Sequence, residues 1–164
     1  MKRLLILRHA QAGPASEGSD RERKLTTQGM EDASALGERM KAENYIPDFI
    51  LCSPVTRTQQ TLDGVLGSLG KIQTEFEKTI YEGGYGELLS LVRGVDDSCM
   101  TLLLIGHNPA IHQFAASLAL EEGEFINRLA FGYAPATLTV LDVPRASWRD
   151  LQPGENKISD LIES

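Results

Sequence analysis

Three short apolar runs punctuate the chain, and each stops abruptly at polar residues. Leu4–Leu7 runs into Arg8 and His9, Phe49–Cys52 into Ser53 and Pro54, and Thr101–Ile105 into Gly106 and His107. Short unbroken apolar runs of this kind predict strands buried on both faces, as in a parallel sheet. A fourth segment, Ala136–Val143, predicts another strand, and the residues after Pro144 either add an edge strand or trail off.

Helical spacing fills the intervals. After a Gly-, Ser- and charge-rich loop over Gln11–Lys24, Thr26 or Thr27 caps a helix with Met30, Ala33, Leu36, Gly37 and Met40 along one face. Ser53 and Asn108 are N-cap residues by type, and Pro54 and Pro109 suit the first helical position after them. The segment Glu87–Gly94 (ELLSLVRG) is also helix-like. Strands alternating with helices predict an α/β fold, with a three-layer arrangement of a mostly parallel central sheet and helices on both faces. At 164 residues the chain is expected to form a single domain, 1–164.

Composition narrows the partners. A net charge of −7 argues against nucleic acid and against a basic membrane-surface patch. No apolar run approaches the ~20 residues of a membrane span. The run after Lys2 and Arg3 is broken at Arg8 after four residues, too short for a signal peptide. Cys52 and Cys99 are too few and too scattered for a disulfide framework or a metal cluster, so a reducing cytoplasm is the expected compartment.

In open parallel sheets the ligand crevice lies at the carboxyl ends of the strands. Parallel neighbours would bring Arg8, His9, Arg57 and His107 to one edge. Two guanidinium forks and two imidazoles make a cationic cup for a phosphoryl group. Two helix N-termini would add partial positive charge. A histidine kept neutral by flanking arginines can attack phosphorus through an unprotonated ring nitrogen, and water can then release the phosphate. Each of these residues alone has an ordinary structural reading; three repetitions of one pattern favour a site.

Other chemistries fit less well. Cys52-Ser-Pro-Val-Thr-Arg57 looks like a cysteine-phosphatase loop, but it is one residue short and Pro54 removes a backbone N–H. Cys52 is therefore expected to be a buried strand residue. His107 and His112 are five apart, a spacing that turns them to different helix faces, and no zinc motif accompanies them. His112 is expected on the helix surface or as support behind the site. No GxxxxGK[ST] motif is present.

The residues resemble the histidine phosphatase superfamily, with its phosphoglycerate-mutase-like fold. Leu7-Arg-His-Ala10 is similar to its Arg-His-Gly signature with alanine for glycine, Ser53–Thr61 (SPVTRTQQT) to its second block and Gly106-His-Asn-Pro109 to its third. The resemblance implies that His9 is the phosphorylated nucleophile and that Arg8, Arg57 and His107 hold the phosphoryl oxygens. The short chain, Arg-His-Ala and Arg23–Gly29 (RKLTTQG) resemble most the small SixA-type phosphohistidine phosphatases. The mutase-like relatives carry an asparagine where this chain reads Gln11-Ala-Gly-Pro14, and insertions that 164 residues leave little room for.

For a general acid the resemblance points first to Glu82 and second to Asp20. An imidazole leaves phosphorus more readily than an alkoxide does, so a weak acid position points toward phosphohistidine. Arg21, Arg23 and Lys24 read as a solvated loop face with local ion pairs, with guidance of a phosphorylated partner as the other reading. The expected function is hydrolysis of phosphohistidine on a protein through a covalent intermediate. A small-molecule phosphomonoesterase and a non-catalytic phosphate-binding module are the alternatives. The substrate is a phosphorylated protein or a small phosphorylated molecule. No metal or cofactor is expected, and the oligomeric state is open, a monomer being compatible.

Overall fold

In a computed structural model, which describes residues 1–15 and 18–164, the apolar runs form the centre of one six-stranded sheet. Strands β1 (Lys2–Arg8), β2 (Phe49–Cys52), β3 (Thr74–Phe76), β4 (Thr101–Gly106), β5 (Leu138–Val143) and β6 (Lys157–Ile162) lie in the order β3-β2-β4-β1-β5-β6. The first four in that order are mutually parallel, and β5 and β6 are added antiparallel. The edge strand β6 is therefore the one that the residues after Pro144 supply.

Alternating side chains of the central strands feed two cores, as the two-residue period of a strand requires. Leu5, Leu7, Ile50, Cys52, Leu103 and Ile105 pack against helices α1 (Thr27–Ala42) and α2 (Thr56–Leu69). Leu4, Ile6, Leu51, Leu102 and Leu104 pack against α4 (Tyr85–Arg93), α5 (Ala110–Leu118) and Leu129 of α6 (Ile126–Phe131). The three layers are thus helix, sheet and helix.

Helices α1 and α2 approach closely because small residues face each other. A Cβ on Gly37 would stand 2.6 Å from the Val65 carbonyl oxygen, and one on Gly64 2.6 Å from the Ala33 Cβ. Thr26 caps α1, its hydroxyl accepting the Gly29 N–H at 3.0 Å. Gly29 lets the helix sit against the Gln11 carbonyl, 2.1 Å from where a Cβ would stand.

Local details differ from expectation at three places. Met30 is 55% exposed, and Gly29 takes its place on the buried face, because the chain from β1 crosses that first turn. Helix α2 starts at Thr56 after Val55, so Ser53 and Pro54 stay outside it; the Thr58 hydroxyl donates toward the Ser53 and Val55 carbonyls instead. Pro109 takes the N-cap position of α5, with Asn108 just before it. The predicted loop Gln11–Lys24 holds a 3₁₀ turn at Asp20–Glu22, and its residues 16 and 17 lie outside the described residues. β3, α6 and the short helix α3 (Lys78–Glu82) had no sequence expectation.

Candidate active site

The register of the parallel strands aligns the three polar strand ends. Arg8 lies opposite Gly106, the His9 N–H donates to the Gly106 carbonyl at 3.1 Å, and the Ser53 N–H donates to the Ile105 carbonyl at 3.1 Å. Beyond β3, the Glu77 N–H bonds the Cys52 carbonyl, which hangs α3 from the same edge of the sheet. Tyr81 on α3 thereby reaches the strand ends.

The imidazoles of His9 and His107 are neighbours, with ring centroids 5.3 Å apart. His9 is buried, and its Nδ1 lies 2.7 Å from the Ala10 carbonyl oxygen. A carbonyl only accepts, so Nδ1 carries the proton and donates. The lone pair of the neutral ring is therefore on Nε2. His107 Nε2 lies 2.8 Å from the Ser53 hydroxyl.

Both arginines are anchored through terminal nitrogens, and neither Nε is bonded among the described residues. Arg8 Nη1 donates to the Tyr133 carbonyl at 2.9 Å, and that carbonyl also accepts from Asn108 Nδ2. Arg57 Nη1 donates to the Asp20 carbonyl at 2.8 Å and Nη2 to the Asp20 carboxylate at 3.0 Å. Arg8 Nε, Arg57 Nε and His107 Nδ1 are buried without a partner among the described residues. Buried donors of this kind are costly unless something accepts from them.

Burial, above all, holds both imidazoles neutral. His9 is pushed down to about 4, with Arg57, Arg8 and Arg23 adding to the effect and the bond to Ala10 opposing it. His107 is pushed down to about 3 by burial and then by His9 and Arg57. An unfolded histidine has a pKa near 6.5, so the unfolded chain binds more protons than the native one between about pH 6.5 and 4. Stability from these two rings is present above that window and lost as pH falls through it. The urea midpoint is expected to be lower at pH 5 than at pH 7.5. The difference should shrink in His107→Gln, and equal midpoints in the wild type would contradict the assignment.

Asp20 and Glu82 are placed differently. The Asp20 carboxylate accepts from Tyr81 Oη at 2.7 Å, Arg57 Nη2 at 3.0 Å and Arg23 Nη1 at 3.1 Å. The Tyr81 hydrogen bond, followed by those of Arg23 and Arg57, holds it well below the usual carboxylate range and thus ionised. Glu82 is half exposed and accepts from Arg21 Nη2 at 3.3 Å. The basic loop residues Arg21 and Arg23 are thus engaged in local ion pairs.

Three residues at the site escaped sequence reasoning. Ser53 reads as a helix cap, Tyr133 shows no pattern, and Tyr81 stands beside the Glu82 that drew attention instead. Tyr81 packs edge-on against His107 at 5.4 Å, with the Arg21 and Arg57 guanidinium carbons 4.8 and 5.9 Å from its ring centre. His112 bonds the Leu129 carbonyl at 2.7 Å and stacks on Tyr133, behind the Arg8 anchor. Cys52 is fully buried, and burial pushes its thiol up, which excludes it as a thiolate nucleophile.

A groove of about 640 Å³ between β3 and α4 lies near the opposite ends of the strands. Asp48, Glu75, Glu77 and Asp96 line it without an arginine or histidine. It has no groups suited to a phosphoryl anion.

Residues 4–96 match the model of the histidine phosphatase superfamily, branch 1. The fold is similar to the SixA-designated protein of Nakamurella multipartitia, at 29% identity and a TM-score of 0.87, covering 99% of this chain and 95% of that one. An uncharacterized protein of Mycobacterium tuberculosis is 27% identical over 153 residues, 90% of this chain and 93% of its own. A 2,3-bisphosphoglycerate-dependent phosphoglycerate mutase of Bradyrhizobium diazoefficiens is 39% identical over 69 residues, 41% of this chain but 33% of the mutase.

Proposed function

The chain belongs to the histidine phosphatase superfamily, and from that premise we propose that it is a phosphatase that removes phosphate from phosphohistidine on a protein. One observation carries the reading. Among the described residues two buried donors, Arg8 Nε and Arg57 Nε, and one buried ring nitrogen, His107 Nδ1, have no partner, and they belong to the residues that surround the His9 ring, whose lone pair is on Nε2.

His9 Nε2 attacks phosphorus, and the bond from phosphorus to the substrate imidazole breaks. The two arginine donors take the phosphoryl oxygens as charge builds in the transition state, joined by His107 in the tautomer that carries its proton on Nδ1. Water then attacks the phosphorus on His9, phosphate leaves, and the ring returns neutral. The low pKa of His9 keeps the nucleophile deprotonated before each attack.

The acid positions support this choice of substrate class. Asp20 is ionised by its three donors, and Glu82 is half exposed on an arginine. Asp20 is therefore no proton donor, Glu82 is tied to Arg21 at the surface, and imidazole is the leaving group that needs such help least. The Nakamurella protein is described as a candidate phosphohistidine phosphatase, which agrees with this choice. Two unpaired, buried cysteines suit a reducing cytoplasm. Among the described residues no helix is long and apolar enough to cross a membrane.

The test compares a phosphohistidine-bearing protein with an aryl phosphate, without added metal, in wild type and Glu82→Gln. Preference for phosphohistidine, little changed by Glu82→Gln, is expected. Fast ester hydrolysis that collapses in Glu82→Gln would make the protein an acid-assisted phosphomonoesterase. Phosphate binding without turnover of either substrate would make it a binding module.

A further inference from the structure

Arg57 is unusual among the cationic groups of the site in how its fork is used. Both terminal nitrogens go to one residue, Nη1 to the Asp20 backbone carbonyl and Nη2 to the Asp20 carboxylate. The guanidinium is planar and rigid, so fixing two of its nitrogens fixes the direction of the third. That third nitrogen, Nε, is buried and without a partner among the described residues. Asp20 is held in turn: Tyr81 Oη donates to the same carboxylate oxygen as Arg57, and Arg23 Nη1 donates to the other.

Tyr81 is pinned independently of Asp20, by edge contact with His107 and by the Arg21 guanidinium near its ring. The segments involved are far apart in sequence. The 3₁₀ turn brings Asp20, α2 brings Arg57 and α3 brings Tyr81.

We propose that Asp20 and Tyr81 are a coupled positioning pair for Arg57: the carboxylate and carbonyl of Asp20 grip the guanidinium so that Nε meets the phosphoryl group, and the Tyr81 hydroxyl locks the carboxylate in that grip. Neither residue is a catalytic residue in this assignment, since each acts through Arg57. Asp20 thereby takes a role other than that of a general acid. The proposal rests on reading the site as a phosphoryl cup.

Electrostatics supplies a sign that separates positioning from competition. A carboxylate beside a phosphate-binding arginine lowers the positive potential of the cup. Removing it would tighten anion binding if charge alone mattered. Positioning predicts the reverse.

The experiment measures inorganic phosphate affinity by calorimetry, and kcat and KM on a phosphohistidine-bearing protein, for wild type, Tyr81→Phe, Asp20→Asn, Asp20→Ala and Tyr81→Phe/Asp20→Ala. Tyr81→Phe keeps the ring and deletes only the hydroxyl, so its melting temperature is expected to stay near wild type. Phosphate affinity should fall roughly threefold to tenfold in Tyr81→Phe, as for loss of one hydrogen bond to a charged group. Asp20→Ala should lose about tenfold or more, with Asp20→Asn between Asp20→Ala and wild type. In the double variant Tyr81→Phe should add less than about twofold, because its effect runs through Asp20.

Additive losses, unchanged affinity in Tyr81→Phe, or tighter phosphate binding in Asp20→Ala would each overturn the pair while leaving the phosphoryl cup standing. A wild-type protein that binds no phosphate would instead sink the reading of the cup itself, and the pair with it.

Discussion

Replacing His9 with alanine is expected to cut kcat on a phosphohistidine-bearing protein by about 10⁴-fold or more, the scale on which covalent catalysis fails when its nucleophile is removed. The reason is positional. His9 sits where β1 ends, its ring fixed by the 2.7 Å bond from Nδ1 to the Ala10 carbonyl, so that only Nε2 presents a lone pair. His107 differs in that its Nε2 is engaged with Ser53 Oγ at 2.8 Å. Phosphate binding should survive in His9→Ala, since Arg8 Nε, Arg57 Nε and His107 Nδ1 remain. Acid-labile phosphate trapped on the wild type and absent from the variant is the direct measurement. Turnover within tenfold of wild type would mean that another group attacks phosphorus.

Arg57→Ala carries the second large effect, a loss of roughly 10²–10³-fold in kcat/KM, as for removal of one preorganised oxyanion donor. Arg57→Lys should restore little of it. A lysine has the charge but not the planar fork, so it cannot hold Asp20 with two nitrogens and aim a third. Arg57 is 5% exposed, and its loss also leaves Asp20 without two contacts, one on its carboxylate and one on its backbone carbonyl. Kinetics on the phosphohistidine substrate alongside urea melts would separate loss of the donor from loss of fold. Full rescue by lysine would show that charge alone matters at this position.

Legibility in the sequence followed the strength of the local signal. Phe49–Cys52 is a strand over the predicted residues, and Leu4–Leu7 and Thr101–Ile105 lie within β1 and β4, because buried central strands need unbroken apolar runs. β3 was not legible: Thr74–Phe76 is short and mostly exposed, and it becomes a strand by pairing with Ile50–Cys52. The cap positions were misplaced for a related reason. Ser53 has the chemistry of a cap, but tertiary structure puts the His107 ring against its hydroxyl, and the helix starts later.

The chain by itself determined the α/β architecture, the strands whose ends carry the polar residues, and Arg8, His9, Arg57 and His107 as the candidate set. Those follow from residue type and short-range period, which the backbone reads locally. Only the tertiary structure decided which nitrogen of His9 is free, which donors stay unpaired, and that Asp20 and Tyr81 converge on Arg57. Each of these depends on contacts between segments distant in sequence or on a hydrogen-bond partner that only folding selects, and no local pattern encodes the angle at which a guanidinium is held.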